Sequence, residues 1–243
     1  FTVGGGTLTK TEDCPDNNFA TFNPLANHPS NTTNLSNGNN TYSIASYTYN
    51  VRSSLAMTSG KYYWEVKQSN IATRIGVCTS GFNNNIDTDD AGAYYGGSTG
   101  FGGIYIMQTA AGTTWIRTNN NTSKNVDNYT NALASGVNSI ISVALDVDAG
   151  KLWLGVNGTW LYSGNPATGA NAQITLTNSS PDPLQAFVGF NSVDARVAQC
   201  NFGNGHFGTT AVSSAGTNAS GNGIFEYDVP TGYTALSTKG LNL

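Results

Sequence analysis

Charge is scarce in this chain. Only 10% of its 243 residues are Asp, Glu, Lys or Arg, against about 25% in an average soluble domain. The ten Lys and Arg residues stand scattered along the sequence, and the net charge is −4. Phosphate backbones are gripped by clustered cations, so nucleic acid and anionic membranes are excluded as expected partners. Long apolar runs are missing too. No stretch approaches the roughly 20 residues a membrane-spanning helix needs, so no membrane insertion is expected. The three cysteines, Cys14, Cys78 and Cys200, form no CxxC pair, which removes zinc-ribbon and thioredoxin-type chemistry. Their odd number leaves at least one thiol free or paired with another chain. Cys78 and Cys200 lie in apolar-alternating segments and are expected as buried, inert thiols. Helical periodicity is absent as well, because Gly, Asn and Pro interrupt every candidate. The chain opens at Phe1 with neither Met nor a signal-type apolar stretch, as expected of a processed terminus or one piece of a longer protein.

What fills the sequence is Gly, Asn, Ser and Thr around short alternating strands, a composition suited to a stable extracellular or particle-borne protein. Hydrophobic residues make up 38%, with 12 Tyr and 10 Phe, so the chain is not of the disordered type. A chain of this length buries roughly 70–75% of the surface its unfolded form exposes and needs no metal or disulfide staple. In Lys61-Tyr62-Tyr63-Trp64-Glu65-Val66-Lys67 the apolar Tyr62, Trp64 and Val66 share one face. Lys61, Glu65 and Lys67 are expected on a wet face. Between 139 and 160, Ile141, Val143, Leu145 and Val147 alternate with smaller or polar residues, Asp148-Ala149-Gly150 turns the chain, and Leu152, Leu154 and Val156 alternate in turn. Asn157-Gly158 forms a second turn because both tolerate positive φ. Two successive hairpin turns predict an antiparallel meander. Further strands are expected at 41–51, 74–78, 103–107, 113–117, 187–191 and 198–202. Two segments read as loops. The first, 80–102, is expected to be ordered by its aromatics; the second, 203–223, is nearly all Gly, Ser, Thr, Ala and Asn and is expected to be mobile.

Several of these pieces resemble SPRY domains. Ser59-Gly60-Lys61-Tyr62-Tyr63-Trp64-Glu65-Val66 is similar to the family's opening strand, and Arg74-Ile75-Gly76-Val77 to the strand that follows. Val143-Ala144-Leu145-Asp146-Val147-Asp148 through Leu152-Trp153-Leu154 to Asn157-Gly158 resembles its central hairpin, and Asn201-Phe202-Gly203 its closing motif. Phe19-Ala20-Thr21-Phe22-Asn23-Pro24-Leu25, Leu35-Ser36-Asn37-Gly38-Asn39 and Pro230-Thr231-Gly232-Tyr233-Thr234-Ala235-Leu236 resemble segments flanking SPRY domains in bacteriophage virion proteins. The resemblance implies an all-β, concanavalin-like two-sheet antiparallel sandwich of jelly-roll type. Residues 1–10 are then a lead-in continuing from an upstream part, and 11–243 are one domain. The loop at 203–223 looks longer than the family's usual connection.

Concanavalin-like sandwiches include glycanases, which place two carboxylates about 5–10 Å apart across the bond they cut. Glu12, Glu65 and Glu226 are the only glutamates and do not fit the one-strand pattern of such enzymes. Asp146 and Asp148 share a strand face beside a turn, where Asp commonly bonds the backbone. Glu65 is expected to pair with a Lys or Arg on a neighbouring strand. His28 and His206, the only imidazoles, have no Ser-Asp constellation around them and are expected at the surface. Asp87, Asp89 and Asp90 form a candidate Ca²⁺ loop, since hard cations take clustered oxygen ligands, although the EF-hand spacing is missing and solvated loop acids are the plainer reading. No other cofactor is expected.

The favoured ligand-binding candidates are Tyr94 and Tyr95, flanked by Gly, with Asn83, Asn84 and Asn85 nearby. Tyrosines so placed stack on a sugar ring or anchor a protein contact, or else plug the open end of the sandwich. Trp64, Trp115, Trp153 and Trp160 are expected in core or sheet-end packing. The expected function is non-enzymatic recognition of a host-surface glycan or protein by a virion tail fibre, spike or head appendage, in a homo-oligomer of the kind common among such appendages. An architectural decoration contacting other virion subunits is the alternative. An envelope polysaccharide-degrading enzyme comes third.

Overall fold

The structure is a computed structural model that describes residues 14, 16–27, 35–45, 50–69, 73–80, 104–110, 113–117, 127–130, 138–176, 183–190 and 195–242. Strands dominate it. In chain order they are β1 (Phe22–Asn27), β2 (Leu35–Ser36), β3 (Thr41–Ile44), β4 (Asn50–Ser53), β5 (Lys61–Gln68) and β6 (Thr73–Thr79). Next come β7 (Ile104–Ala110), β8 (Thr113–Arg117), β9 (Asp127–Thr130), β10 (Ile140–Asp146), β11 (Lys151–Val156) and β12 (Thr159–Trp160). The last six are β13 (Ile174–Thr175), β14 (Leu184–Phe190), β15 (Arg196–Asn201), β16 (His206–Phe207), β17 (Thr210–Ala211) and β18 (Thr234–Ala235). Among the described residues helical structure is confined to three single 3₁₀ turns.

Sixteen of the strands form two large sheets, and β16 and β17 pair separately. One runs in the order β1-β4-β14-β6-β7-β8-β9, and the other β12-β11-β10-β5-β15-β3-β2, with β13 beside β11. β15 and β18 share one edge of β5: β15 runs antiparallel beside Glu65–Gln68, and β18 parallel beside Tyr62 and Tyr63. The predicted meander is present. β10 pairs with β11 from Ile141↔Val156 to Asp146↔Lys151, and β11 pairs with β12 across Asn157 (φ 48°) and Gly158 (φ 81°).

Register explains the core. Val143 lies opposite both Trp64 and Leu154, and Leu145 opposite both Tyr62 and Leu152. These side chains therefore make one continuous apolar face, because alternate residues of a strand point to the same side. They share a single apolar cluster with Val51, Ile75, Val77, Ala186 and Val188 of the other sheet. Tyr42 stacks on Phe190 across the sheets at 5.3 Å, and Phe22 meets Phe202 edge-on at 5.8 Å.

Two expectations are corrected. The segment 41–51 is two strands, not one: β3 belongs to the second sheet and β4 to the first. Ile44 and Val51 thus reach the same core from opposite layers, a switch that apolar alternation does not register. The outer face of β5 is not wet at its centre, since Tyr63 and Glu65 are fully buried there. Covering this face is the C-terminal part of the chain. Phe225 packs edge-on against Tyr63 at 4.9 Å, and Tyr233 against Trp153 at 6.5 Å.

The segment 203–223, read from its composition as a mobile loop, is bonded along its length. Asn201 Oδ1 accepts from the amides of Gly203 and Gly205, and β16 and β17 form a small hairpin. The amide of Gly216 donates to Phe225 O, and Asn218 Nδ2 donates to the carbonyls of Asn222 and Gly223. The Asn, Ser and Thr side chains that mark the stretch as loop are the groups that tie it down. Gly203, at φ +128°, could not be another residue, because a β-carbon there would lie 2.5 Å from the Phe19 ring.

Candidate binding site

Glu65 organises the outer face of the second sheet. Its Oε1 accepts from the Tyr227 amide at 2.8 Å and the Tyr63 hydroxyl at 3.0 Å, and its Oε2 from the Glu226 amide at 2.9 Å and Asn201 Nδ2 at 3.4 Å. Burial pushes its carboxyl up to about 7, against the downward pull of those four donors. Among the described residues no Lys or Arg pairs with it across the strands: its partners there are two backbone amides, a phenol and an amide side chain. The strand register could not reveal this, because the donors at 226 and 227 arrive from the far end of the chain. A carboxylate sealed in this way is a clamp for the covering segment and is not positioned to act on a substrate.

The clamp fixes one wall of an open pocket of about 440 Å³. Its floor is the sheet, with Tyr63, Ser142, Gly155 and Trp160; its rim carries Gly216, Glu226, Tyr227 and Asp228. Two glycines shape it. The Trp160 ring lies 3.2 Å from where a Gly155 β-carbon would be, and the Tyr227 ring 2.7 Å from that of Gly158. Both rings therefore approach the backbone more closely than a side chain at either glycine would allow. The two rim carboxylates are also held in place. Glu226 accepts from the amide of Ser213 at 2.8 Å and from its hydroxyl, and Asp228 Oδ1 accepts from the amide and hydroxyl of Thr217 at 2.7 and 2.8 Å. Those bonds from Thr217 hold the Asp228 carboxyl below its usual range. The Tyr63 hydroxyl sits 3.0 Å from both Glu65 Oε1 and Ser142 Oγ.

Tyr94, Tyr95, Asn83, Asn84, Asn85, Asp87, Asp89, Asp90 and His28 lie outside the described residues. Asp146 and Asp148 hold turns. Asp146 accepts from Ala149 N at 2.8 Å and pairs with Lys61 at 3.0 Å, and Asp148 accepts from Gly60 N. His206 opens the β16–β17 hairpin, half-buried, with Nδ1 3.1 Å from Asn204 O. Cys78 and Cys200 are buried free thiols, and Cys14 is exposed. Among the described residues no three His, Cys, Asp or Glu side chains converge as metal ligands. Trp160, expected in packing, and Tyr227, Glu226 and Asp228, not singled out, form the pocket. One signal was readable: Phe225-Glu226-Tyr227-Asp228 alternates aromatic and acidic residues just before Pro230.

Among solved structures, the chain superposes on a TRIM65 PSpry domain with a TM-score of 0.52, at 16% identity over 75% of this chain and 92% of that one. The fold is that of the SPRY domain. The SPRY domain of human HERC1 is also similar, with a TM-score of 0.48 at 15% identity, covering 74% of this chain and 96% of that one. No family model and no curated protein matches the sequence. On the SPRY fold the resembling motifs take clear places. Ser59–Val66 leads into and forms most of β5, Arg74–Val77 lies in β6, and the central hairpin is β10–β11. Asn201 closes β15 and ties Glu65, Gly203, Gly205 and Ile224 together.

Proposed function

We propose that this chain is a non-catalytic recognition module of a bacteriophage virion, a SPRY-fold sandwich on a tail fibre, spike or head appendage. It binds a host-surface glycan or protein through the segment that joins β6 to β7. One observation carries the reading. β6 and β7 are antiparallel neighbours, paired from Arg74↔Gln108 to Cys78↔Ile104, so a hairpin loop of about 2–5 residues would connect them. The chain instead uses all of 80–103, a stretch holding Tyr94, Tyr95 and the three consecutive asparagines. Long insertions on a rigid β scaffold are where binding residues concentrate. The sealed state of Glu65 and the turn-holding bonds of Asp146 support recognition over catalysis.

Purified protein is tested for binding to host cells and envelope fractions, beside a Tyr94→Ala/Tyr95→Ala variant and virions lacking the protein. Binding lost in the variant supports the proposal. No binding to either fraction, with normal adsorption of the deficient virions, overturns it.

An architectural reading, with contacts to other virion subunits, is favoured by one feature. β1 is an edge strand of its sheet, and its Leu25 is 93% exposed; bare edges and exposed apolar side chains invite pairing with another chain. A position between subunits in the assembled particle favours that role, and a distal position favours receptor binding. Polysaccharide turnover that disappears in Asp146 or Glu65 variants would restore the enzymatic alternative.

A further inference from the structure

We infer that the pocket on the outer face of the second sheet is a binding site for an uncharged saccharide, with Trp160 and Tyr227 as the stacking surfaces and Glu226 and Asp228 as acceptors for its hydroxyls. The proposal rests on residues other than those of the 80–103 segment, so it is tested separately from the reading above.

Size permits this: about 440 Å³ lies within the usual range of small-molecule clefts, about 300–1,000 Å³. Chemistry then narrows the ligand. Among the described residues the lining contains no Lys, Arg or His, and two of its residues are carboxylates. An anionic ligand would meet the like charge of those two carboxylates. A basic side chain fits poorly for another reason. A guanidinium seeks both oxygens of one open carboxylate as a fork. Each Glu226 oxygen already accepts one bond from Ser213, and Asp228 Oδ1 accepts two from Thr217, which leaves separate acceptor positions and no fully open fork. What the fixed carboxylates still offer is acceptor lone pairs, Asp228 Oδ2 among them, at positions set before a ligand arrives. Preorganised acceptors beside flat aromatic rings match a ring that is apolar on its faces and hydroxylated around its edge. Gly155 and Gly158 contribute by being glycines, since a β-carbon at either would crowd the ring beside it.

The pocket also depends on Glu65. By holding the amides of Glu226 and Tyr227, it sets the backbone from which the acidic and aromatic side chains of the rim project.

Tryptophan fluorescence and saturation-transfer NMR test the site with the methyl glycosides of glucose, galactose and N-acetylglucosamine and their β-linked dimers. Glucuronate and arginine amide serve as comparators. At least one neutral sugar is expected to bind with a Kd of about 1 mM or tighter. Trp160→Ala and Tyr227→Ala are each expected to weaken it about tenfold or more, and Asp228→Asn by less. Tyr227→Ala leaves untouched the amide that Glu65 holds, so it decides the matter where Trp160→Ala fails to fold. Four results overturn the inference: no neutral sugar binds, glucuronate binds equally well, arginine amide is preferred, or binding survives loss of the Tyr227 ring.

Discussion

Replacing Glu65 by alanine removes the acceptor of four donors at once. Two of them keep a second partner: the Tyr63 hydroxyl retains Ser142 Oγ at 3.0 Å, and Asn201 Nδ2 retains Ile224 O at 2.9 Å. The amides of Glu226 and Tyr227 are left without their acceptor. A fully buried donor stripped of its acceptor costs about 1–3 kcal/mol; both of these bonds are part-buried, so the two together cost at most about 2–6 kcal/mol. The wild-type side chain brings an opposing effect that depends on pH. Its carboxyl titrates near 7 in the folded protein instead of 4.5, so between those values the folded state holds a proton that the unfolded state has released. Stability from this source is fully present below about pH 4.5 and is lost as pH rises through about 7, about 3 kcal/mol in all. Alanine does not titrate. The gap between wild type and Glu65→Ala is therefore widest near pH 4.5 and narrows by up to about 3 kcal/mol by pH 8. Urea unfolding at several pH values measures the gap, and hydrogen exchange at 226 and 227 reports the local opening. Equal stability near pH 5, a gap that widens with pH, or unchanged exchange at both amides would refute the clamp.

Other substitutions probe neighbouring features. Glu65→Gln keeps the shape and most bonds but turns one acceptor oxygen into a donor; it is expected to flatten the stability profile between pH 4.5 and 7 relative to wild type. At Gly158, φ +81° and a β-carbon 2.7 Å from the Tyr227 ring make Gly158→Ala destabilising by about 1–2 kcal/mol, read as a lower Tm with altered Tyr227 side-chain NMR shifts. Asp146→Ala is expected to cost about 0.5–1.5 kcal/mol, because the bond to Ala149 N is lost and water replaces it at that exposed turn residue. Lys61→Ala, at the half-exposed end of the same pair, is expected to cost at most about 1 kcal/mol in urea unfolding. Burial pushes the Cys78 thiol up to about 12 and raises Cys200 well above its usual value. A chromogenic disulfide reagent should thus titrate Cys14 alone in the folded protein and all three thiols in urea. Rapid reaction of a second thiol without denaturant would contradict the burial of both.

Some of this architecture was written in local pattern. Alternation at 61–67 and 139–160 is a statement about which side chains share a face, and that is decided between neighbours two residues apart. The turn at Asn157-Gly158 is equally local, because positive φ belongs to the residues themselves. For the same reason Trp64, Val143 and Leu145 were legible as core. Other features depended on partners far along the chain. Glu65 alternated with apolar residues and so read as solvent-facing, yet residues 226 and 227 return to cover it and convert a wet face into a second buried layer. The break within 41–51 was hidden because both halves feed the same core from different sheets. The segment 203–223 looked like open loop by composition, since composition records that Asn, Ser and Thr are present and not which backbone groups they meet. The pocket of Trp160, Tyr227, Glu226 and Asp228 joins residues more than sixty positions apart. Local sequence determined the strands, the turns and the inward face of each sheet. Tertiary structure alone decided what lies on the outward face, because that depends on where the end of the chain comes to rest.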